Sequence, residues 1–151
     1  MTRLRSKKAL PLSRVYRLLE PGPVVLLTTA HKGRANVMTM SWHTMMEFEP
    51  PLVGCIVSNR NFSFDALRRT KECVINIPTA ELARKLVAEC YAGLECKVVD
   101  ARLAEKYNFF ILRVLKAWID PSVKRPRTLH HRGMGEFMIA GRTLRLPSRM
   151  K

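Results

Sequence analysis

Val24–Pro78 reads VVLLTTAHKGRANVMTMSWHTMMEFEPPLVGCIVSNRNFSFDALRRTKECVINIP, and the fold turns on how it is divided. Val24–Ala30 is a run of β-branched residues, Leu and Ala, Lys32-Gly33 is a turn pair, and Ala35–Phe48 alternates small or polar residues with Met and Val. That pattern predicts a hairpin whose second strand runs on to Phe48. Pro50-Pro51 ends it, because proline donates nothing to a ladder. Leu52–Val57 has the composition of a buried strand, and the polar loop Ser58–Asn61 follows it. Ser63 is expected to cap a helix reaching about Thr70, with Asp65 in its first turn. Cys73–Ile77 is a further short strand.

Outward from this stretch the chain stays mostly β. Leu12–Leu19 has apolar residues at helical spacing and stops at Pro21-Gly22, as a short helix or turn does. Thr79 is expected to cap a second helix through Ala83. Gly93–Ala104 and Tyr107–Ile119 read as two long strands, and Gly135–Leu146 as a hairpin turned near Ala140-Gly141. Many strands, few helices and no βαβ alternation predict a small antiparallel barrel. At 151 residues the expectation is one domain, 1–151, large enough for a packed core.

Composition narrows the function classes. Apolar residues make up 47% of the chain, which excludes a disordered protein, and no apolar run approaches the ~20 residues of a membrane span. The N-terminus is basic but lacks the apolar segment of a secretory signal. Cys55, Cys73, Cys90 and Cys96 sit in or beside apolar segments with no metal-ligand spacing, so reduced, buried thiols and a cytoplasmic location are expected. The net charge is +15, with six Lys or Arg and no acid between Met1 and Arg17, and a second basic cluster from Lys124 to Lys151. Such a field draws nucleic acid and nucleotide cofactors alike. No helix-turn-helix, zinc finger or RNA-recognition signature accompanies it, so specific nucleic-acid binding is not expected.

No glycine-rich phosphate loop, carboxylate pair or nucleophile triad stands out. What remains is a binding constellation, which suits chemistry carried by a cofactor. Two polar strand ends lie beside a basic loop that opens a helix. Arg60, the helix dipole and free N–H groups then converge on one anion. Such a site suits a ligand with one polar ring edge and one phosphate. Trp42 taken alone reads as a core tryptophan, His130-His131 as a solvated turn, and Lys124-Arg125 as a solvated loop.

The order of these residues resembles the flavin reductase-like family, the FMN-binding split barrels. The resemblance rests on Pro21–Leu26, Asn36–Trp42, Pro50–Val53, Ser58–Ser63 and Asn76–Pro78, and continues through Glu89–Cys96, Tyr107–Phe110 and Pro126–Phe137. It implies an antiparallel, Greek-key-like split β-barrel with a few short helices, forming a homodimer with flavin near the interface. It implies that FMN (FAD possible) is reduced by NAD(P)H. Reduced flavin is then released or passed on, a partner oxygenase being one acceptor. Carried over by position, Asn36 and the backbone of Thr39, Met40, Ser41 and Trp42 would face the isoalloxazine. Ser58, Arg60 and Ser63, with Asn59 between them, would take the phosphate. Asn76 would support the ribityl side, Phe137 would border the ring, and His131 would lie where the nicotinamide approaches. The same resemblance leaves a non-enzymatic FMN electron carrier, or a member that has lost flavin, as alternatives. It also implies a segment of a few dozen residues, with a lysine that reaches the flavin, where this chain passes from Ala83 straight into Arg84–Val87. The chain is therefore read as a shortened member.

Overall fold

The structure is a computed structural model that describes residues 6–19, 22–82 and 89–144. A 3-10 turn at Leu12–Arg14 and helix α1 (Tyr16–Leu19) follow the two-residue strand β1 (Lys8–Ala9). β2 (Val25–His31) and β3 (Arg34–Met40) form the expected hairpin. Its two turn residues, Lys32 and Gly33, both have positive φ, 51° and 71°, which matches the twist of paired strands.

The second strand does not continue to Phe48. It ends at Met40, and β4 (His43–Phe48) begins after Ser41-Trp42. Alternation alone missed this break because it runs through the corner with little interruption. β4 pairs with β5 (Pro51–Ile56), helix α2 (Phe62–Thr70) follows, and then come β6 (Glu72–Ile77), β7 (Ala92–Asp100), helix α3 (Ala104–Tyr107) and β8 (Phe109–Ile119). The strand order is β3-β2-β6-β7-β8-β5-β4, every neighbouring pair antiparallel, with β1 against β8. The steps β2 to β6 and β5 to β8 are the long returns of a Greek key.

The two ends of that order, β3 and β4, are joined by two residues. At ~3.3–3.6 Å per residue the end of β3 and the start of β4 lie within about 11 Å. The sheet must therefore curl until its edges meet at one corner, and no ladder joins β3 to β4 among the described residues. This is an open, split barrel. Val25 and Leu27 of β2, Val53 and Cys55 of β5, Ile75 and Ile77 of β6, and Phe110, Leu112 and Val114 of β8 alternate inward. α2 packs onto this core through Phe64, whose ring meets Phe110 edge-on at 5.3 Å between centroids. Gly54 is needed where β5 passes β8, since a Cβ there would fall 2.6 Å from the Phe109 ring.

The four cysteines are free and buried. Burial pushes the thiol of Cys90 up to about 11 and raises Cys55 further, while a hydrogen bond to Cys96 comes first in raising Cys73. None of these three is a ready thiolate.

Three expectations change in the helices and the last hairpin. α2 starts at Phe62 with Asn61 in the extended N-cap position, so Ser63 is a buried helical residue rather than its cap. After Thr79 there is a 3-10 turn, Ala80–Leu82, and the rest of that expected helix falls outside the described residues. The hairpin consists of β9 (Leu129–Gly133) and β10 (Glu136–Ile139), turned at Met134-Gly135 rather than at Ala140-Gly141. Gly135 (φ 80°) allows the tighter turn. His130 and His131 are therefore strand residues. Backbone bonds from Val24 N–H to Leu129 O (2.7 Å), Ala140 N–H to Thr128 O (2.8 Å) and Ala80 N–H to Arg127 O (2.6 Å) fix the hairpin and its approach.

Candidate functional site

At the corner where β3 leaves the sheet, Val24, Thr39, Met40, Ser41, His131 and Phe137 enclose a cavity of about 240 Å³. Five of these six were assigned from the sequence resemblance, and they come from segments almost a hundred residues apart. β3 brings Thr39 and Met40 to the rim, and the corner supplies Ser41. His131 and Phe137 are opposed on the β9–β10 hairpin, their rings 5.2 Å apart. The wall is mixed. Val24, Met40 and Phe137 are apolar, while Thr39 and Ser41 offer hydroxyls and His131 an imidazole. Such a wall fits a flat heteroaromatic ring with one polar edge, as a flavin has. Trp42, beside the corner, is neither core nor part of this lining. It is 68% exposed, and its carbonyl accepts the Ile56 N–H at 3.0 Å. A polar corner turns it outward where a buried strand was expected.

Register sorts the other assigned residues onto two faces. Thr29 and Asn36 are partners across β2 and β3. Ser63 of α2 bonds both, at 3.0 Å to Thr29 Oγ1 and 3.1 Å from Asn36 Nδ2. Thr29 and Ser63 are almost fully buried, so this cluster ties α2 to the barrel. Asn76 lies on the opposite face, since Leu26 is flanked by Thr39 on one side and Asn76 on the other. The Asn76 amide donates to Thr28 Oγ1 at 3.1 Å and to Leu26 O at 3.5 Å.

The loop before α2 is exposed at Asn59, Arg60 and Asn61. Arg60 N–H donates to Ser58 Oγ at 3.3 Å, and Asn59 N–H to Asn108 Oδ1 at 3.2 Å. Asn61 makes no side-chain cap bond, which leaves the start of α2 open to an anion. Arg34 also reaches this end of the helix, its guanidinium 4.9 Å from the Phe62 ring. Sequence reading missed Val24, Thr28, Thr29 and Arg34. Thr29 was findable by parity with Val25 and Leu27, but nothing in the sequence marks Arg34 as facing α2.

His43, just past the corner, donates from Nε2 to the Pro23 carbonyl at 2.7 Å, while its Nδ1 is buried with no partner among the described residues. Burial holds its imidazole below the ordinary 6.5, and the Pro23 bond partly counters this.

Two outcomes follow from these contacts. Ser63→Ala leaves Thr29 and Asn36 without their shared partner and is expected to cost ~1–3 kcal/mol in urea denaturation. A loss below ~0.5 kcal/mol would show that the cluster does not hold α2. For His43, the unfolded chain takes a proton more readily than the folded one. Its contribution to stability is full above pH 6.5 and lost as pH falls below that value. Denaturation midpoints measured from about pH 7.5 down to about 5 should fall more steeply in the native protein than in His43→Gln. Parallel curves would remove His43 as the cause.

Residues 16–85 match the model of the flavin reductase like domain. YddH, an uncharacterized protein of Escherichia coli (strain K12), is 26% identical over 171 aligned positions, which take in 83% of this chain and 90% of YddH. Those positions outnumber the 151 residues here, so YddH carries stretches with no counterpart in this chain. The junction at Ala83–Val87, where the missing segment was expected, lies outside the described residues. An FMN-binding domain of a flavin reductases-like enzyme from Shewanella baltica OS155 has TM-score 0.88, covering 97% of this chain and 100% of that one at 24% identity. Flavoredoxin from Methanosarcina acetivorans has TM-score 0.72 at 19% identity, covering 84% and 89%. Nitrilotriacetate monooxygenase component B from Mycobacterium thermoresistibile has TM-score 0.71 at 17% identity, covering 91% and 92%. These likenesses are of fold: the chain has the split-barrel fold of flavin reductase-like proteins, and its residues 16–85 match that domain's model.

Proposed function

We propose that the protein binds FMN, with FAD as the alternative nucleotide, and serves as a flavin reductase drawing hydride from NAD(P)H. The observation that carries this reading is the convergence of Thr39, Met40, Ser41, His131 and Phe137 on one cavity. A bound flavin supplies the two-electron chemistry, and the chain supplies binding and orientation. Thr39 and Ser41 offer hydrogen bonds to a polar ring edge. Val24, Met40 and Phe137 exclude water from the ring, and His131 borders the approach of the nicotinamide. Asn36 lies farther along β3 and bonds Ser63 of α2, so the strand leads from the cavity toward the start of that helix, the direction we assign to the ribityl phosphate. We assign the phosphate to Arg60, Ser58 and the open N–H groups of α2. Ser63, buried and doubly bonded, positions that helix. Asn59 acts through its loop backbone, Asn76 supports the ribityl side by way of Thr28, and Trp42 contributes its backbone.

The neighbours favour two uses of such a site. A monooxygenase component and a flavoredoxin share the fold. The first supports delivery of reduced flavin to a partner oxygenase, the second an FMN carrier that exchanges electrons with another protein. NAD(P)H consumption with excess free FMN separates them, since only a reductase turns over the added flavin. Free, buried cysteines support a reducing, cytoplasmic setting. No helix among the described residues is long and apolar enough to cross a membrane.

Arg60→Ala is expected to weaken FMN by about ten- to a hundred-fold, the loss of one charge-assisted contact, and riboflavin far less. Equal losses for both ligands in a fluorescence titration would move the phosphate elsewhere. A second outcome concerns assembly. Trp42, Val37 and Phe48 are exposed on or beside the unpaired edge strands β3 and β4, which supports a homodimer that covers them. Light scattering at micromolar concentration should return twice the mass of the chain, and a flavin-binding monomer would refute the dimer.

A further inference from the structure

A second concave site lies on the other side of the β9–β10 hairpin. It is a groove of about 1560 Å³ between α1, the 124–128 loop, β9 and the chain leaving β10. Arg17, Lys124, Arg125, Arg127 and Arg142 line it, all exposed, and no acid does among the described residues. Arg127 is paired at 3.4 Å with Glu81. The other four form no ion pair among the described residues. Residues 145–151 carry three more basic residues and no acid in sequence. Four cations with no ion pair among the described residues, set around one concavity, focus a positive potential into it. Leu18 and Tyr91 form an apolar floor, 8% and 3% exposed, and Leu144 adds a bare apolar side chain at the rim.

The hairpin relates this groove to the cavity. Successive strand residues face opposite sides. His131 lines the cavity and His130 lines the groove, held by a 3.0 Å bond with Thr128 Oγ1. One two-stranded wall separates the two sites.

We infer that this groove is a nucleotide site, taking the diphosphate of an adenosine diphosphate group among its arginines and lysine and the base beside the exposed Leu144 at the rim. Several cations spread around one concavity suit two or more phosphates better than one. The volume exceeds the roughly 300–1,000 Å³ of ordinary small-ligand sites and suits a nucleotide with room beside it. Single-stranded nucleic acid is disfavoured, because it calls for exposed aromatic stacking platforms and Tyr91, the aromatic residue in the lining, is buried. The diphosphate has two possible sources. It is the far end of a nicotinamide dinucleotide that reaches around the hairpin, which rests on the reductase reading above, or it is a separate nucleotide.

The test is calorimetric titration of ADP into the full chain and into Lys124→Glu/Arg142→Glu, with FMN affinity measured in parallel. Both substituted residues are exposed and outside the flavin cavity. Saturable binding at one site per chain is expected, weakened about ten-fold or more by the double reversal, with FMN affinity unchanged. Steady-state reduction then identifies the source. If the donor's far end occupies the groove, ADP competes with NAD(P)H and the reversal raises KM with kcat kept. If a separate nucleotide occupies it, ADP binds without competing. ADP binding that does not saturate, or is indifferent to the reversal, overturns the site. So does a single-stranded oligonucleotide that binds there while ADP does not. A chain that binds ADP but not FMN would refute the flavin reading and leave the groove standing.

Discussion

Ser41 and Trp42 are all that separates the two edges of the main sheet, and the rest of the molecule depends on that short link. A seven-strand path whose first and last members are joined by two residues cannot lie flat. It curls, and the curl creates an inside that Val25, Leu27, Ile75, Phe110 and Leu112 fill. The same link leaves a corner where Ser41, outside the ladder, and Thr39 and Met40 at the end of β3 face a cavity. Barrel closure and the candidate site are thus two results of one constraint. His43 reinforces the corner by gripping the Pro23 carbonyl, which sets Val24 at the cavity wall.

The cavity is finished by a hairpin that belongs to a separate, two-stranded sheet. Its hold on the barrel includes the backbone bond between Val24 and Leu129, one residue from His130 and two from His131. That bond decides how far the His131 and Phe137 rings stand from the corner. It also makes the hairpin a wall with two working faces. Strand alternation sends His131 to a small cavity of mixed wall and His130 to a broad cationic groove. Electrostatics differ accordingly. The cavity wall carries no fixed charge, whereas the groove concentrates much of the excess that gives the chain its +15.

The start of α2 is organised differently. Thr29, Asn36 and Ser63 spend their polar groups on one another, so the helix is seated firmly while its first N–H groups stay open. Ser63 looks like a cap in the sequence, being a serine just inside a helix. Its burial against Thr29 makes it a bolt between two layers instead. The exposed positions on either side, Arg60 before the helix and Arg34 across from it, are then the ones left to meet an anion.

Local sequence determined much of this. β-branched runs, the Lys32-Gly33 turn and Pro50-Pro51 specified most strands, because period-two burial and proline's missing donor act within a few residues. The ordered motifs from Pro21 to Phe137 brought the family resemblance, the split barrel and five of the six residues that line the cavity. Other features were set by tertiary structure. The break at Ser41-Trp42 is invisible to alternation, since it becomes a corner only when β3 and β4 take opposite edges. The hairpin turned at Met134-Gly135 because β10 pairs back onto β9, and a glycine at either Gly135 or Gly141 permits a turn. Exposure of Trp42, the reach of Arg34 to Phe62 and the meeting of Arg17 with Arg142 across one groove join residues 28 to 125 positions apart or depend on such joins. Local propensity decides what each segment is; which faces meet is decided only when the sheet curls and distant strands fall into register.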